Sequence, residues 1–375
     1  MISIYADNAA TTALDETAIE MMKPYLQNIY GNASQAYSFS REPKKALKEA
    51  RATIAECIGC SPDEIYFTSG GTESDNWAIK GSAFADIEKR ATITSQIEHH
   101  AILNSCKAIE RLGYPVAYLY PTADGTVLPE ELEKIITDQT RLVSVMFANN
   151  EIGTTQPLSA LAKVAHSHGA LFHTDAVQAV GHIPINVYDL GVDMLSASAH
   201  KFNGPKGVGF LYIKNGTKIA PLINGGAQEA GIRAGTENVA SIVGMAVALR
   251  ENHEHIQENI AHKKTLEKAL LTGLDSSSIS YVLNGGNDKL PGLCSLSFKD
   301  KDGEAILHRM DLMGISISTG SACDSVNTEI SHVLKAIRLD ENLAKGTIRI
   351  SLGKNNTLDD VDTIVQSLRK ILSPI

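Results

Sequence analysis

In Ser196-Ala-Ser-Ala-His-Lys-Phe-Asn-Gly-Pro-Lys-Gly-Val-Gly209, Lys201 stands where a short apolar strand gives way to a glycine-punctuated loop, a place from which a side chain can face a cavity. A primary amine that is partly desolvated, or set beside another cation, is neutral often enough to form a Schiff base with a carbonyl compound or with pyridoxal phosphate. A lysine taken alone is more often a solvated surface charge. Its neighbours favour the chemical use: Ser198 and His200 offer donors suited to a phosphate, and Gly204, Gly207 and Gly209 let backbone approach a ligand. Ser69-Gly-Gly-Thr72 opens a helical pattern, so its amides and the Thr72 hydroxyl can hold a phosphate at the positive end of a helix, although such a turn is also an ordinary connection. Asp175 closes the apolar run of Phe172-His-Thr-Asp-Ala-Val-Gln178. A carboxylate there is either a helix N-cap or the partner of a cation, and a protonated pyridine nitrogen is such a cation; the pairing would make the ring an electron sink for a carbanion. In Glu98-His-His-Ala101, His99 could stack on a flat ring and move protons near neutral pH, with His100 as its competitor.

These groups act together only if the fold gathers them. Apolar, β-rich runs recur at Ile65 to Thr68, Ala91 to Ser95, Val116 to Tyr120, Leu142 to Phe147, Leu171 to Thr174, Met194 to Ser198 and Val208 to Ile213, and helical patterns separate several of them, most clearly Leu158 to His168, capped by Gly169. Strand and helix in alternation predict an α/β fold, a mostly parallel central sheet with helices on both faces. Ligands of such sheets bind beyond the carboxyl ends of the strands. Ser69 to Glu73 follow the first strand there, His99 the second, Asn150 the fourth, Asp175 and Gln178 the fifth, and Ser198, His200 and Lys201 the sixth.

Two helices, from Asp15 towards Tyr25 and from Glu42 to Ile58, precede the sheet. From about Ser241 one long helix leads away from it to strands at Tyr281 to Leu283, Cys294 to Phe298, Ile315 to Ser318 and Thr347 to Ile350, with a closing helix from Leu358 to Leu372. This predicts a large domain over 15–250 and a smaller α+β domain formed by 1–14 with 251–375.

With 375 residues, 43 % of them hydrophobic and 21 % charged, the chain has the composition of a globular enzyme. A formal net charge of -9 argues against a nucleic-acid groove, and no stretch is long and apolar enough to span a membrane. The N-terminal residues carry no targeting pattern, and the five scattered cysteines suit a reducing cytoplasm. His253, His255 and His262 lack a carboxylate or cysteine to complete a ligand set, so no metal site is expected.

The ordered motifs resemble cysteine desulfurases of the NifS and IscS kind, in the class V aminotransferase branch of fold-type I pyridoxal-phosphate enzymes. The likeness spans almost the whole chain: Asp7-Asn-Ala-Ala-Thr-Thr12, Phe67-Thr-Ser-Gly-Gly-Thr-Glu-Ser74, Glu98-His99, Asn149-Asn-Glu-Ile-Gly153, His173-Thr-Asp-Ala-Val-Gln178, Ser198-Ala-His-Lys201, Arg233-Ala-Gly-Thr236, Ser321-Ala-Cys323 and Ile348-Arg-Ile-Ser-Leu-Gly353. The resemblance implies that Lys201 carries the cofactor as a Schiff base, His99 stacks on its ring, Asp175 pairs with its nitrogen and Gln178 bonds its ring oxygen. It implies further that Gly71, Thr72, Ser198 and His200 hold the phosphate, with Thr236 reaching across a homodimer. Asn150 and Arg349 would meet the carboxylate of L-cysteine, a guanidinium being suited to bidentate grip.

Cys323 would separate sulfur transfer from transamination or selenocysteine β-elimination on the same scaffold, and from a non-catalytic role in a sulfur-assembly complex. Gly320-Ser-Ala-Cys-Asp-Ser-Val-Asn327 reads as a mobile loop in which a cysteine is poorly buried. The resemblance makes its thiol the nucleophile that takes the substrate sulfur as a persulfide and delivers it to acceptor proteins, of which iron–sulfur scaffolds, tRNA thiolation proteins and DNA phosphorothioation proteins are the family's kinds. The chain departs from the family at Ala230, where an arginine is usual, at Ala33 and Tyr37, and at Asp324, whose carboxylate beside the thiol disfavours a thiolate.

Overall fold

The computed structural model describes residues 3–86, 88–277, 279–319 and 330–373. After a short β1 (Ile4–Tyr5), helices α1 (Glu16–Gln27) and α2 (Arg41–Ile58) lead to an alternating run: β2 (Ile65–Thr68), α3 (Gly71–Ala85), β3 (Ala91–Ser95), α4 (His100–Glu110), β4 (Val116–Leu119), α5 (Pro129–Ile135), β5 (Thr140–Ser144), α6 (Leu158–Ser167), β6 (Leu171–Asp175), α7 (Val187–Leu190), β7 (Met194–Ser198) and β8 (Gly209–Ile213). Strands β2 to β8 form one seven-stranded sheet in the order β2-β8-β7-β6-β5-β3-β4. All pairs are parallel except those of β8, which runs against both β2 and β7. Every residue of β5, β7 and β8 is buried, which is why these strands read as continuous apolar runs and not as alternating ones.

The helices end where their sequences say they should. Asp15 accepts the Thr17 N–H to start α1, and Gly59, at φ +72°, closes α2 in the left-handed region. Pro24 lies inside α1 without ending it. The buried positions of α2, among them Ala46, Leu47, Ala50, Ile54 and Ile58, repeat at helical spacing and face the large core.

The remainder of the chain comprises α8 (Val239–Glu254), α9 (Ile256–Asp275), β9 (Val282–Asn284), β10 (Leu293–Ser297), α10 (Gly303–Leu312), β11 (Ile315–Ser316), β12 (Ser318–Thr319), α11 (His332–Ala336), α12 (Glu341–Ala344), β13 (Thr347–Ser351) and α13 (Leu358–Leu372). The single helix expected after Ser241 is therefore two. His255, at ψ +17°, turns its amide back onto Glu251 and His253 to end α8, and α9 starts anew beyond it. The strand expected over Ile315 to Ser318 is also divided: β11 pairs with β1, whereas β12 joins the antiparallel order β12-β13-β10-β9.

A second core under that smaller sheet gathers Leu266, Leu270 and Leu274 of α9, Leu296, Ile348, Ile350 and the buried face of α13, together with Ile4 and Ala6. The chain then crosses from the second core to the first. Asn8 N–H donates to Ser351 O at 3.1 Å, Thr12 N–H to His200 O at 2.9 Å, and Asp15 N–H to Asn203 O at 2.9 Å. Residues 6–13 thus form a strap fastened to β13 on one side and to the turn after β7 on the other.

Close approach at the start of β8 leaves room only for glycine. A Cβ on Gly209 would lie 2.4 Å from Ala197 O and 2.7 Å from the Cα of Gly70, and Gly70 itself has φ +145°. Gly209→Ala should therefore lower stability by about 1–3 kcal/mol, measured by urea unfolding, because the displaced atoms are backbone and cannot repack.

Candidate active site

A cavity of about 280 Å³ opens where the carboxyl ends of the large sheet meet the smaller sheet. The sequence-predicted residues Gly71, Thr72, His99, Asn150, Asp175, Gln178, Ser198, His200, Lys201 and Arg349 all line it. Thr236 is exposed and lies away from this cavity, and Cys323 falls outside the described residues.

Lys201 sits in a short turn of 3₁₀ helix following β7. Its Nζ donates to Ala9 O and to Ala10 O, each at 2.8 Å. Gln178 Nε2 donates to the same Ala9 carbonyl at 2.8 Å, so the strap is held by two site residues at once. His200 contacts Thr11 Oγ1 through Nδ1 at 3.1 Å, and burial beside Lys201 and Lys206 pushes its ring down to about 4, leaving it neutral.

Asp175 is buried at the end of β6, and its Oδ1 accepts the Val177 N–H at 2.9 Å. The helix-cap reading therefore captures a real contact, but one backbone donor does not compensate a buried carboxylate. Burial pushes its carboxyl up, opposed by His99 and Lys201 nearby. Asp75, on α3, lines the same cavity at 1 % exposure with Oδ1 lacking a hydrogen bond among the described residues. Burial and then the charge of Asp175 push Asp75 well above the ordinary carboxylate range, whereas His99 and Lys201 favour the ionised form of Asp175, the group placed to meet a cation. The floor beneath is neutral too: His173 is held between Ser144 Oγ at 2.9 Å and Ser196 Oγ at 3.0 Å, and burial pushes it down to about 3.

His99 is the N-cap of α4. Its Nδ1 accepts the Ala101 N–H at 3.2 Å, so in the neutral ring favoured by burial it is Nε2 that carries the hydrogen. Next to it, Glu98 is fully buried, accepts from Ser95 Oγ and from Met146 N–H, and is pushed up to about 8 by burial.

Arg349 reaches the cavity from β13 and is 3 % exposed. One NH2 nitrogen pairs with Asp7 Oδ1 at 2.7 Å and the other donates to Asn150 O at 2.8 Å, while Nε has no hydrogen bond among the described residues. A buried guanidinium oriented from two sides, with donor capacity left over, suits a carboxylate ligand. At the far rim, Glu73 grips Arg233 through a two-bond fork at 2.8 and 3.0 Å, joining the first turn of α3 to the segment that carries Thr236.

The arrangement fits pyridoxal phosphate. It offers an amine, a buried carboxylate in want of a cation, a flat imidazole, and a phosphate cradle at the start of α3 where a Cβ on Gly71 would fall 2.6 Å from Val177 Cγ2. Sequence reasoning missed Asp75, Asp7 as the orienting partner of Arg349, and the two strap carbonyls. Only the small-polar character of Asp7-Asn-Ala-Ala hinted at the strap. The described cysteines Cys57, Cys60, Cys106 and Cys294 are free, and burial pushes each thiol up to about 12, as expected of bystanders. Among the described residues no group of His, Cys, Asp and Glu could hold a metal ion.

The family described as Aminotransferase class-V matches residues 4–364. The chain is similar to the cysteine desulfurase IscS of Dictyoglomus turgidum, 48 % identical over 98 % of this chain and 96 % of that protein. Among solved structures it is similar to a NifS-like protein, with 39 % identity, a TM-score of 0.93 and 99 % of each chain covered. It is also similar to SspA solved in complex with cysteine, with 38 % identity and a TM-score of 0.84 over 95 % of this chain and all of the other.

Glu98 provides a test of the buried electrostatics. Its folded value lies above its ordinary 4.5, so between about 4.5 and about 8 the unfolded chain has lost a proton that the folded protein keeps, and stability falls as pH rises through that window. Glu98→Gln can still accept from both Ser95 Oγ and Met146 N–H through its Oε1. Its Tm relative to the parent should rise steadily from pH 5 to pH 8.

Proposed function

This chain belongs to the aminotransferase class-V family and is a pyridoxal-phosphate-dependent cysteine desulfurase; from that premise we propose that Lys201 carries the cofactor and Cys323 receives the sulfur of L-cysteine. The observation that carries the assignment of residues is the meeting of Lys201, Asp175, His99 and Arg349 on one cavity.

Lys201 Nζ would hold the cofactor aldehyde, Asp175 its ring nitrogen, His99 its ring face and Gln178 its ring oxygen. The amides at Gly71 and Thr72, with Ser198 and His200, take the phosphate, and Thr236 of a second copy completes it. When bound, the cofactor supplies an electron sink at the substrate α-carbon. Arg349 and Asn150 orient the L-cysteine carboxylate, and the Lys201 amine moves the α-proton. Neutral His99 presents Nε2–H, which passes to the substrate β-carbon as its bond to sulfur breaks, and the ring regains a proton from the substrate thiol. Cys323 accepts the sulfur as a persulfide, and the carbon skeleton leaves as L-alanine.

A homodimer is supported by Thr236 lying apart from its own chain's cavity, and by the exposure of Tyr30, Tyr37, Phe39 and Ile223. Two domains, 15–250 and 1–14 with 251–375, agree with the separate cores, although the strap serves both. Sulfur passes onward to acceptor proteins in a reducing cytoplasm, a setting that suits the free cysteines. Among the described residues no helix is long and apolar enough to cross a membrane.

Two substitutions test the assignments. Cys323→Ser should keep the cofactor's visible absorption but give no protein-bound persulfide and no acceptor labelling; persulfide formed in proportion to alanine in this variant would sink the nucleophile assignment. Arg349→Lys should raise KM for L-cysteine by about 10- to 100-fold, because a charge-assisted contact of about 1.5–3 kcal/mol loses its two-pronged geometry.

A further inference from the structure

A second cavity, of about 260 Å³, lies behind the strap and shares Ala9 and Gln178 with the active site as a common wall. Its chemistry centres on Lys263 of α9, the one buried lysine among the described residues, at 5 % exposure. Lys263 Nζ donates to His182 Nδ1 at 3.2 Å, and His182 Nε2 donates to the backbone carbonyl of Lys201 at 2.8 Å. Because a carbonyl only accepts, Nε2 carries the hydrogen and Nδ1 is the acceptor. Burial and the Lys263 charge push His182 down to about 3, so the partner of this buried amine is a neutral ring.

Among the described residues no carboxylate is paired with it. Lys354, also on the wall, is engaged by Asp15 at 2.9 Å. Asp360, the carboxylate on the wall, accepts from Thr357 N–H at 3.0 Å in the capping box of α13, where the positive end of the helix offsets its charge. Most of the remaining polar wall is carboxamide, including Asn8, Asn203, Asn252 and Asn259. Burial lowers Lys263 to about 8, so the ammonium is still its main form at neutral pH.

A buried cation with a single neutral partner, facing a cavity with room for several heavy atoms, is half of an ion pair. We propose that this chamber is a binding site for a small carboxylate, held by the Lys263 ammonium. One uncompensated charge suits a monoanion and leaves a dianionic phosphate in excess.

Calorimetric titration of the cofactor-loaded enzyme with acetate, at ionic strength balanced with chloride, tests this. The parent should show saturable binding, weakened about 10- to 100-fold in Lys263→Met and retained in Lys263→Arg, the range set by one charge-assisted hydrogen bond of about 1.5–3 kcal/mol. Inorganic phosphate should bind more weakly than acetate. Lys263→Met relieves a buried amine, so its Tm without acetate should be at or above the parent's; should it melt early, Lys263→Gln takes its place in the titration. Equal acetate affinity in parent and neutral variants, no saturable binding in the parent, or tighter Lys263-dependent binding of phosphate would each overturn the proposal.

Discussion

The contact on which the rest depends is the pair of 2.8 Å hydrogen bonds from Lys201 Nζ to the carbonyls of Ala9 and Ala10. An amine at the end of a buried strand needs acceptors, and these two come from a segment distant in sequence. Neutral carbonyls steady the amine without binding it by charge, so it can leave them for a carbonyl carbon. The same requirement explains why the strap must lie where it does. Once Ala9 and Ala10 face Lys201, Asp7 is placed to orient Arg349 at 2.7 Å, and Thr12 is placed to receive the Asn203 N–H at 2.8 Å.

The acidic groups around the site are arranged so that one negative charge prevails. Asp75, Asp175 and Glu98 are all buried, and three ionised carboxylates in so small a volume would repel one another and lack solvation. Glu98 and Asp75 sit high and stay protonated, which leaves Asp175 as the carboxylate. The neutral His173 and His200 add no competing cation. A carboxylate whose two nearest acidic neighbours are raised by burial meets a cationic ring nitrogen with less competition than an open acidic cluster would.

Much of this was legible from residue types alone, because strand-end positions of a parallel sheet are a one-dimensional signal: apolar run, polar residue, glycine or helix start. Asp175, His99, Asn150, Ser198 and Lys201 obey that grammar and line one cavity. What escaped was whatever depends on contacts between remote segments. Nothing local marks Asp7 as the partner of a guanidinium 342 residues away, nor Asp75 as a buried acid on a helix whose neighbours are polar. The break at His255 escaped because both flanks keep helical periodicity and no Pro or Gly intervenes. Along the chain Lys263 is one basic residue among several on α9, and only the folded packing around the strap encloses it. The left-handed Glu229 and Ala230, φ +45° and +55°, are held by the Arg51 fork on Glu229, a restraint likewise invisible along the chain.

The strap also bears on how the protein is made. Its C-terminal half can meet Gln178, Lys201 and His200 once the large sheet is made, but the fastenings of Ala6 and Asn8 reach Ser316, Ser351 and Asn356, so that side of the strap cannot close until synthesis is nearly finished. The large sheet can form meanwhile, but Arg349 does not yet exist. A partly made chain is therefore a sheet without a working site. Completion of the polypeptide is what completes the site.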